Sequence, residues 1–240
     1  MLQNSLVKQW WRLGGITGIL FVILFIVGIV VQGSTPAYGD PVDEIRQKWI
    51  DNGQSYLIGD YIIGLSAVLF FFPFISALRS YLGIAEGGSQ VFSRIIMVGA
   101  IIFLGVAGAA SAAWTTLAFG DFARDASDDT INTLMGLDAG ATHFIFAGTA
   151  LMALATGAAI MQTKALPVWL CALSLIYGVL ALIAPLSVLS NKPDDSILTA
   201  IGFLGALIWF LVTAATLAMQ KEAPRVTSVS VATAPSAAAT

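Results

Sequence analysis

Apolar residues gather along this chain into six long blocks broken by short polar stretches. Asp, Glu, Lys and Arg are missing from 13–39, 61–78, 95–120, 139–163, 165–191 and 196–220. Each block can carry a helix across the roughly 30 Å hydrocarbon layer of a bilayer, which takes about 20 residues. With the turn signals at their ends, the blocks predict spans at about 13–32, 57–78, 94–118, 139–161, 167–189 and 196–219. The expected fold is all-α, a bundle of six transmembrane helices occupying residues 1–222. Residues 223–240 are Ala, Ser, Thr, Val and Pro with Arg225 as their one charge and no helical stripe, which predicts a disordered cytoplasmic tail.

The polar connections alternate in charge. Lys8, Arg12, Arg79, Arg94, Lys164, Lys221 and Arg225 fall on one side, opposed by Glu86 and Glu222 alone, whereas the other side holds four basic residues and twelve acids. The positive-inside rule makes the first set cytoplasmic, so both termini are expected inside and the 33–56, 119–138 and 190–195 connections outside. A span this long at 14–32, followed by five more, is expected to be retained and not cleaved as a signal peptide.

Two outer connections carry helical patterns of their own. In the first, Asp40-Pro41 resembles an N-cap with a first-turn proline, Val42, Ile45 and Trp49 share a face, and Gly53 reads as a stop. This predicts a short amphipathic helix between the first two spans, either parked at the interface by Trp49 or acting as a lid over an outward cavity. In the second, Ser127 can cap a short helix that places Asp128 and Asp129 at its positive end and Ile131, Leu134 and Met135 on one face. The fourth, fifth and sixth spans are joined by so few residues that they must pack as antiparallel hairpins. No pattern repeats the first half of the chain in the second, as inverted-repeat transporters would require.

Composition narrows the function classes. The chain is 58% apolar and 10% charged, with a formal net charge of −3, so it offers no basic face for nucleic acid. The lone Cys171 cannot build a disulfide or a thiolate metal site, and one histidine cannot supply a metal or haem centre, so no cofactor is expected.

The polar residues within the spans are few. Asp60 is the one carboxylate inside a predicted span, and an intramembrane acid marks a functional site unless it caps the helix or reaches the headgroups. His143 sits at a similar depth on the fourth span, where it serves either as a packing residue or as a ligand. Equal offsets put both in one outer layer with Ser111, Thr115, Thr116, Thr142 and Thr199, a candidate polar pocket, although the sequence does not place the second span beside the fourth. Gly64-Leu65-Ser66 has part of the G-x-S pattern of serine hydrolases, but the elbow motif is incomplete. Small residues at helical spacing, Gly14 with Gly18, Gly105 with Ala109, and Gly108 with Ala112, predict close helix packing. Pro73 and Pro185 are expected to remove backbone bonds and bend their spans.

Several stretches together resemble a family of uncharacterised multi-pass membrane proteins common in bacteria, especially actinobacteria. They are Arg12-Leu-Gly-Gly-Ile-Thr-Gly-Ile-Leu-Phe, Asp43-Glu44-Ile45, Trp49-Ile-Asp-Asn, Leu78-Arg79, Glu86-Gly-Gly and Leu166-Pro-Val-Trp169. The resemblance implies a bacterial cytoplasmic membrane location and carries over no activity or catalytic residue. The first expectation is therefore a non-enzymatic inner-membrane component, an accessory or scaffold protein meeting lipid and other membrane subunits or a second copy of itself. The alternatives are a small-solute or proton-coupled transporter using Asp60 and His143, and a membrane enzyme acting at the outer leaflet.

Overall fold

Backbone groups in hydrocarbon must find their partners within the protein, and the described residues meet that demand with helix alone. The computed structural model describes residues 2–189, 197–221 and 224, and among these no strand occurs. Helix α1 covers Leu2–Gln32, α2 Val42–Ser66, α3 Phe72–Glu86, α4 Val91–Ala118, α5 Phe122–Asp125, α6 Asp128–Thr163, α7 Val168–Ile183 and α8 Ile197–Ala218. Six stretches are long and apolar enough to cross a membrane: Trp10–Gln32, Val42–Glu86, Val91–Ala118, Asp128–Thr163, Val168–Ser187 and Ile197–Ala218. Large apolar side chains such as Ile16, Val30, Ile101, Phe144, Ile176 and Leu204 stand exposed around the bundle, as a lipid-facing surface requires. The chain is a multi-pass membrane protein of the six-span, all-α class. The tail expected at 223–240 lies, apart from Pro224, outside the described residues.

The helices follow one another around a ring. Helix α1 packs on α2 and α3, these on α4, α4 on α6, α6 on α7, α7 on α8, and α8 closes back on α1. Close approach at α1 comes from its glycines: a Cβ added to Gly14 would sit 2.1 Å from that of Ala77, and one on Gly18 would sit 2.6 Å from that of Ala214. Between α4 and α6 the contact is at Gly99, whose added Cβ would lie 2.8 Å from the Gly148 carbonyl oxygen. Gly105, Gly108 and Ala109, expected to pack, are instead exposed, and nothing lies within 4 Å of a Cβ on either glycine. The reason is rotation by 100° per residue, which turns that part of α4 outward while Phe103, Ala110 and Ala113 are buried.

The separate outer helices expected before the second and fourth spans are instead extensions of those spans. Helix α2 begins at Val42 with Pro41 in the cap position, the Asp40 carboxylate accepting from the Ala37 N–H and not capping as expected, and it passes through Gly53, which faces Ala118, its added Cβ 3.0 Å from that carbonyl oxygen. A mid-helix glycine costs only about 1 kcal/mol, so packing on α4 overrides the stop. Likewise Ser127 caps α6, accepting from the Thr130 N–H at 3.3 Å, and the helix then runs without a break to Thr163. At 45 and 36 residues, Val42–Glu86 and Asp128–Thr163 outrun a membrane crossing.

The surplus turns form a cap at the end of the bundle where α1 finishes and α2 begins. There Ile45, Trp49, Tyr56, Leu117, Ile131 and Met135 make a second hydrophobic core apart from the main one. Arg46 ties the cap together. Its Nη1 donates to the carbonyls of Ala123 at 2.5 Å and Ala126 at 2.8 Å, and its Nη2 pairs with Asp128 at 2.6 Å.

Both prolines change the helix type around them. Ahead of Pro73 the chain takes a π turn over Ala67–Phe71, with the Phe72 N–H donating to the Ala67 carbonyl five residues back. The wider turn absorbs the crowding that a proline ring imposes on the preceding turn. It also carries Phe71 into the centre of the bundle, 5.0 Å from Phe21, 5.2 Å from Phe103 and 5.5 Å from Phe210 between ring centroids. Around Pro185 the end of α7 tightens into a 3₁₀ segment, Ala184–Leu189.

Candidate functional site

Helices α1, α2, α4, α6 and α8 line a partly open cavity of about 360 Å³, within the roughly 300–1,000 Å³ usual for small-molecule sites. Towards the cap its wall is polar, with Gln32, Thr35, Asp60, Ser111, Asp138 and Thr142. Towards the middle of the bundle it is aromatic, built by Phe21, Phe25, Phe103, Phe146, Phe203 and Phe210. The two ends follow from the sequence of α1, whose lining residues pass from Phe21 and Phe25 through Ile29 to Gln32 on successive turns of one face.

Asp60 is held from α4. Ser111 Oγ donates to its Oδ2 at 2.7 Å and Thr115 Oγ1 to the same oxygen at 3.0 Å. The two hydroxyls stand four residues apart and so share one face of α4. Asp60 makes no ion pair among the described residues. Above it, Trp114 lines the cavity and meets the cap aromatics, with ring centroids 5.5 Å from Tyr56 and 6.1 Å from Trp49. The cap core therefore forms the roof of the cavity.

Asp138, buried at 6% exposure, is the acid that sequence reasoning missed. A fourth span predicted to start at 139 leaves it in the preceding connection, yet it lies inside α6, one turn ahead of Thr142 on the cavity side. The available signal was the apolar stripe of Ile131 and Met135, which carries the helical register back past Asp138.

His143 does not join this wall. Its Nδ1 bonds the Ala139 carbonyl, which can only accept, so Nδ1 carries a proton, and Nε2 shares a hydrogen bond of 2.9 Å with Ser187 Oγ. Ser187 Oγ in turn accepts from Thr199 Oγ1 at 3.0 Å. The layer expected from equal depths is thus two sites, and Thr116, exposed and donating to the Ala112 carbonyl at 2.8 Å, belongs to neither. One holds Asp60, Ser111 and Thr115, with Thr142 elsewhere on the same cavity. The other holds His143, Ser187 and Thr199 where α6 meets the ends of α7 and α8. A single residue step around α6 separates the directions of Thr142 and His143, and the 3₁₀ turn at Pro185 brings Ser187 to the ring. Ser66, from the partial hydrolase pattern, is fully buried and donates to the Ile63 carbonyl at 2.7 Å, away from His143.

Among the described residues no group of His, Cys, Asp and Glu is arranged to hold a metal. Cys171 is buried, with its Sγ donating to the Gly157 carbonyl at 3.2 Å. No family model, curated protein or solved structure matches the chain.

Proposed function

We propose that the chain is a non-enzymatic protein of a bacterial cytoplasmic membrane, with both termini inside, that receives an amphiphilic small molecule in the cavity beneath its cap. One observation carries this reading: the cavity is polar at the capped end and aromatic at mid-bundle, the order in which an amphiphile lies in a leaflet, head outward and tail inward. A scaffold needs helix faces but no such space, and a packed bundle of this size leaves few voids larger than a water molecule.

The enzyme alternative has one point in its favour, the 2.9 Å spacing of Ser187 Oγ and His143 Nε2, which is that of an activated serine. Against it, Ser187 is 2% exposed, neither residue lines the cavity, and the serine hydroxyl is shared with Thr199. Transport of the same molecule remains compatible with the binding reading, and Asp60 is the group through which it would be coupled.

The test is purification in a mild detergent followed by native mass spectrometry of wild type and Ala107→Trp. That substitution puts a large side chain on the cavity wall from a half-buried position. A small amphiphile retained by wild type and lost from the folded variant is expected. Equal retention by both would overturn the assignment to this cavity. Labelling of wild type by a fluorophosphonate probe, abolished in Ser187→Ala, would overturn the non-enzymatic reading.

A further inference from the structure

We infer that the occupant of the cavity is an organic cation with an apolar body, an ammonium-type amphiphile; this rests on the cavity being a ligand site. Among the described residues the walls carry two carboxylates, Asp60 and Asp138, and no Lys, Arg or His. A carboxylate withdrawn from water is costly unless a positive charge stands near it. Asp60 is half-buried and, among the described residues, has hydroxyl partners only, both on Oδ2. Among the described residues the cations of the cap are committed elsewhere, Arg46 to Asp128 and to the carbonyls of the α5 segment, Lys48 to Asp40 at 3.7 Å and Arg124 to Asp121 at 2.5 Å.

The aromatic end supplies the second half of the recognition. Phe25 and Phe203 lie 6.0 Å apart between centroids and Phe21 and Phe210 lie 5.7 Å apart edge to face, so the floor offers ring faces and edges to an apolar body. At the polar end Trp114 shares the wall with Asp60, so an alkylammonium head there also gains cation–π attraction. The other ligand classes fit less well. A neutral amphiphile would use the floor and leave Asp60 without a counter-charge, an anion would be repelled by both acids, and a bare metal ion would find two carboxylates on different helices and no use for six phenylalanines.

The experiment uses the full chain in phosphatidylcholine nanodiscs and three probes with the same tail: decyltrimethylammonium, decanol and decyl sulfate. Empty nanodiscs correct for partition into lipid, and calorimetry with tryptophan fluorescence reads saturable binding. Decyltrimethylammonium is expected to bind at a single site at least about tenfold tighter than decanol, as a charge-assisted contact allows, and decyl sulfate not to saturate. In Asp60→Asn the preference for the cation should narrow towards parity, and in Asp60→Glu it should persist. Equal binding of decanol and the cation by wild type, or an undiminished preference in folded Asp60→Asn, would overturn the cation assignment while leaving the cavity as a site. If Asp60→Asn does not fold, the wild-type ranking of the three probes decides. No saturable binding of any probe would instead remove the ligand site on which the inference rests.

Discussion

Glu86 ends α3 with its carboxylate turned onto the first turn of α4, where Oε1 accepts from the Ser93 N–H at 2.8 Å and Oε2 from the Phe92 N–H at 3.0 Å. These amides have no partner within their own helix, and a negative charge also suits the positive end of the dipole. Glu86→Ala should therefore cost about 1–2 kcal/mol, read as a lowered melting temperature in detergent, while the exposed Glu44→Ala stays within about 0.5 kcal/mol of wild type. The same logic applies to the polar pairs. Asp60 and His143 share no partner, so a double-mutant cycle of Asp60→Asn and His143→Ala should be additive within about 0.5 kcal/mol, whereas His143→Ala with Ser187→Ala should show a coupling of at least that size. Coupling in the first cycle and additivity in the second would mean that depth, not helix face, decides which polar groups meet.

On the scale of elements, α4 separates two kinds of small residue that look alike in sequence. Gly99 meets the backbone of α6, so Gly99→Leu must push the two helices apart, at a cost of about 1–3 kcal/mol or more. Gly108 has open space beside it, so Gly108→Leu should leave detergent melting nearly unchanged. A large loss at Gly108 with none at Gly99 would show α4 turned by half a rotation. Helix α2 teaches the same lesson at its glycine and at its proline. Gly53 allows α2 close to Ala118 without ending the helix, and Pro73 follows a π turn and does not break the span.

For the whole molecule, the cap is a small assembly resting on the longer one. Arg46 joins three segments of it, so Arg46→Met should raise amide exchange across 121–135 while leaving exchange in α7 and α8 unchanged. Equal protection in the cap would show that its apolar core alone holds it. The proposed orientation in the membrane rests on the basic residues of the connections. In a Cys171→Ala background, Glu44→Cys and Asp125→Cys should react with an impermeant thiol reagent added to cells, and Ser89→Cys should not. Reaction at Ser89→Cys would reverse the topology.

Sequence by itself determined the class and the number of spans, because an apolar run of about 20 residues crosses hydrocarbon as a helix whose backbone bonds close within the segment. It also identified Asp60 with its hydroxyl neighbours Ser111 and Thr115, and the Ser127 cap, since depth and capping chemistry are local properties. Only the tertiary structure decided which way each residue faces. In a soluble helix the polar face marks the outside, but in lipid both faces are apolar and the sequence loses that mark. Hence Gly105 and Gly108 turned outward, His143 parted from Asp60, and Asp138 joined the cavity wall. The fusion of the outer helices to their spans was hidden for a related reason: a glycine ends a helix or admits a neighbour according to what packs against it, and for Gly53 that neighbour is α4.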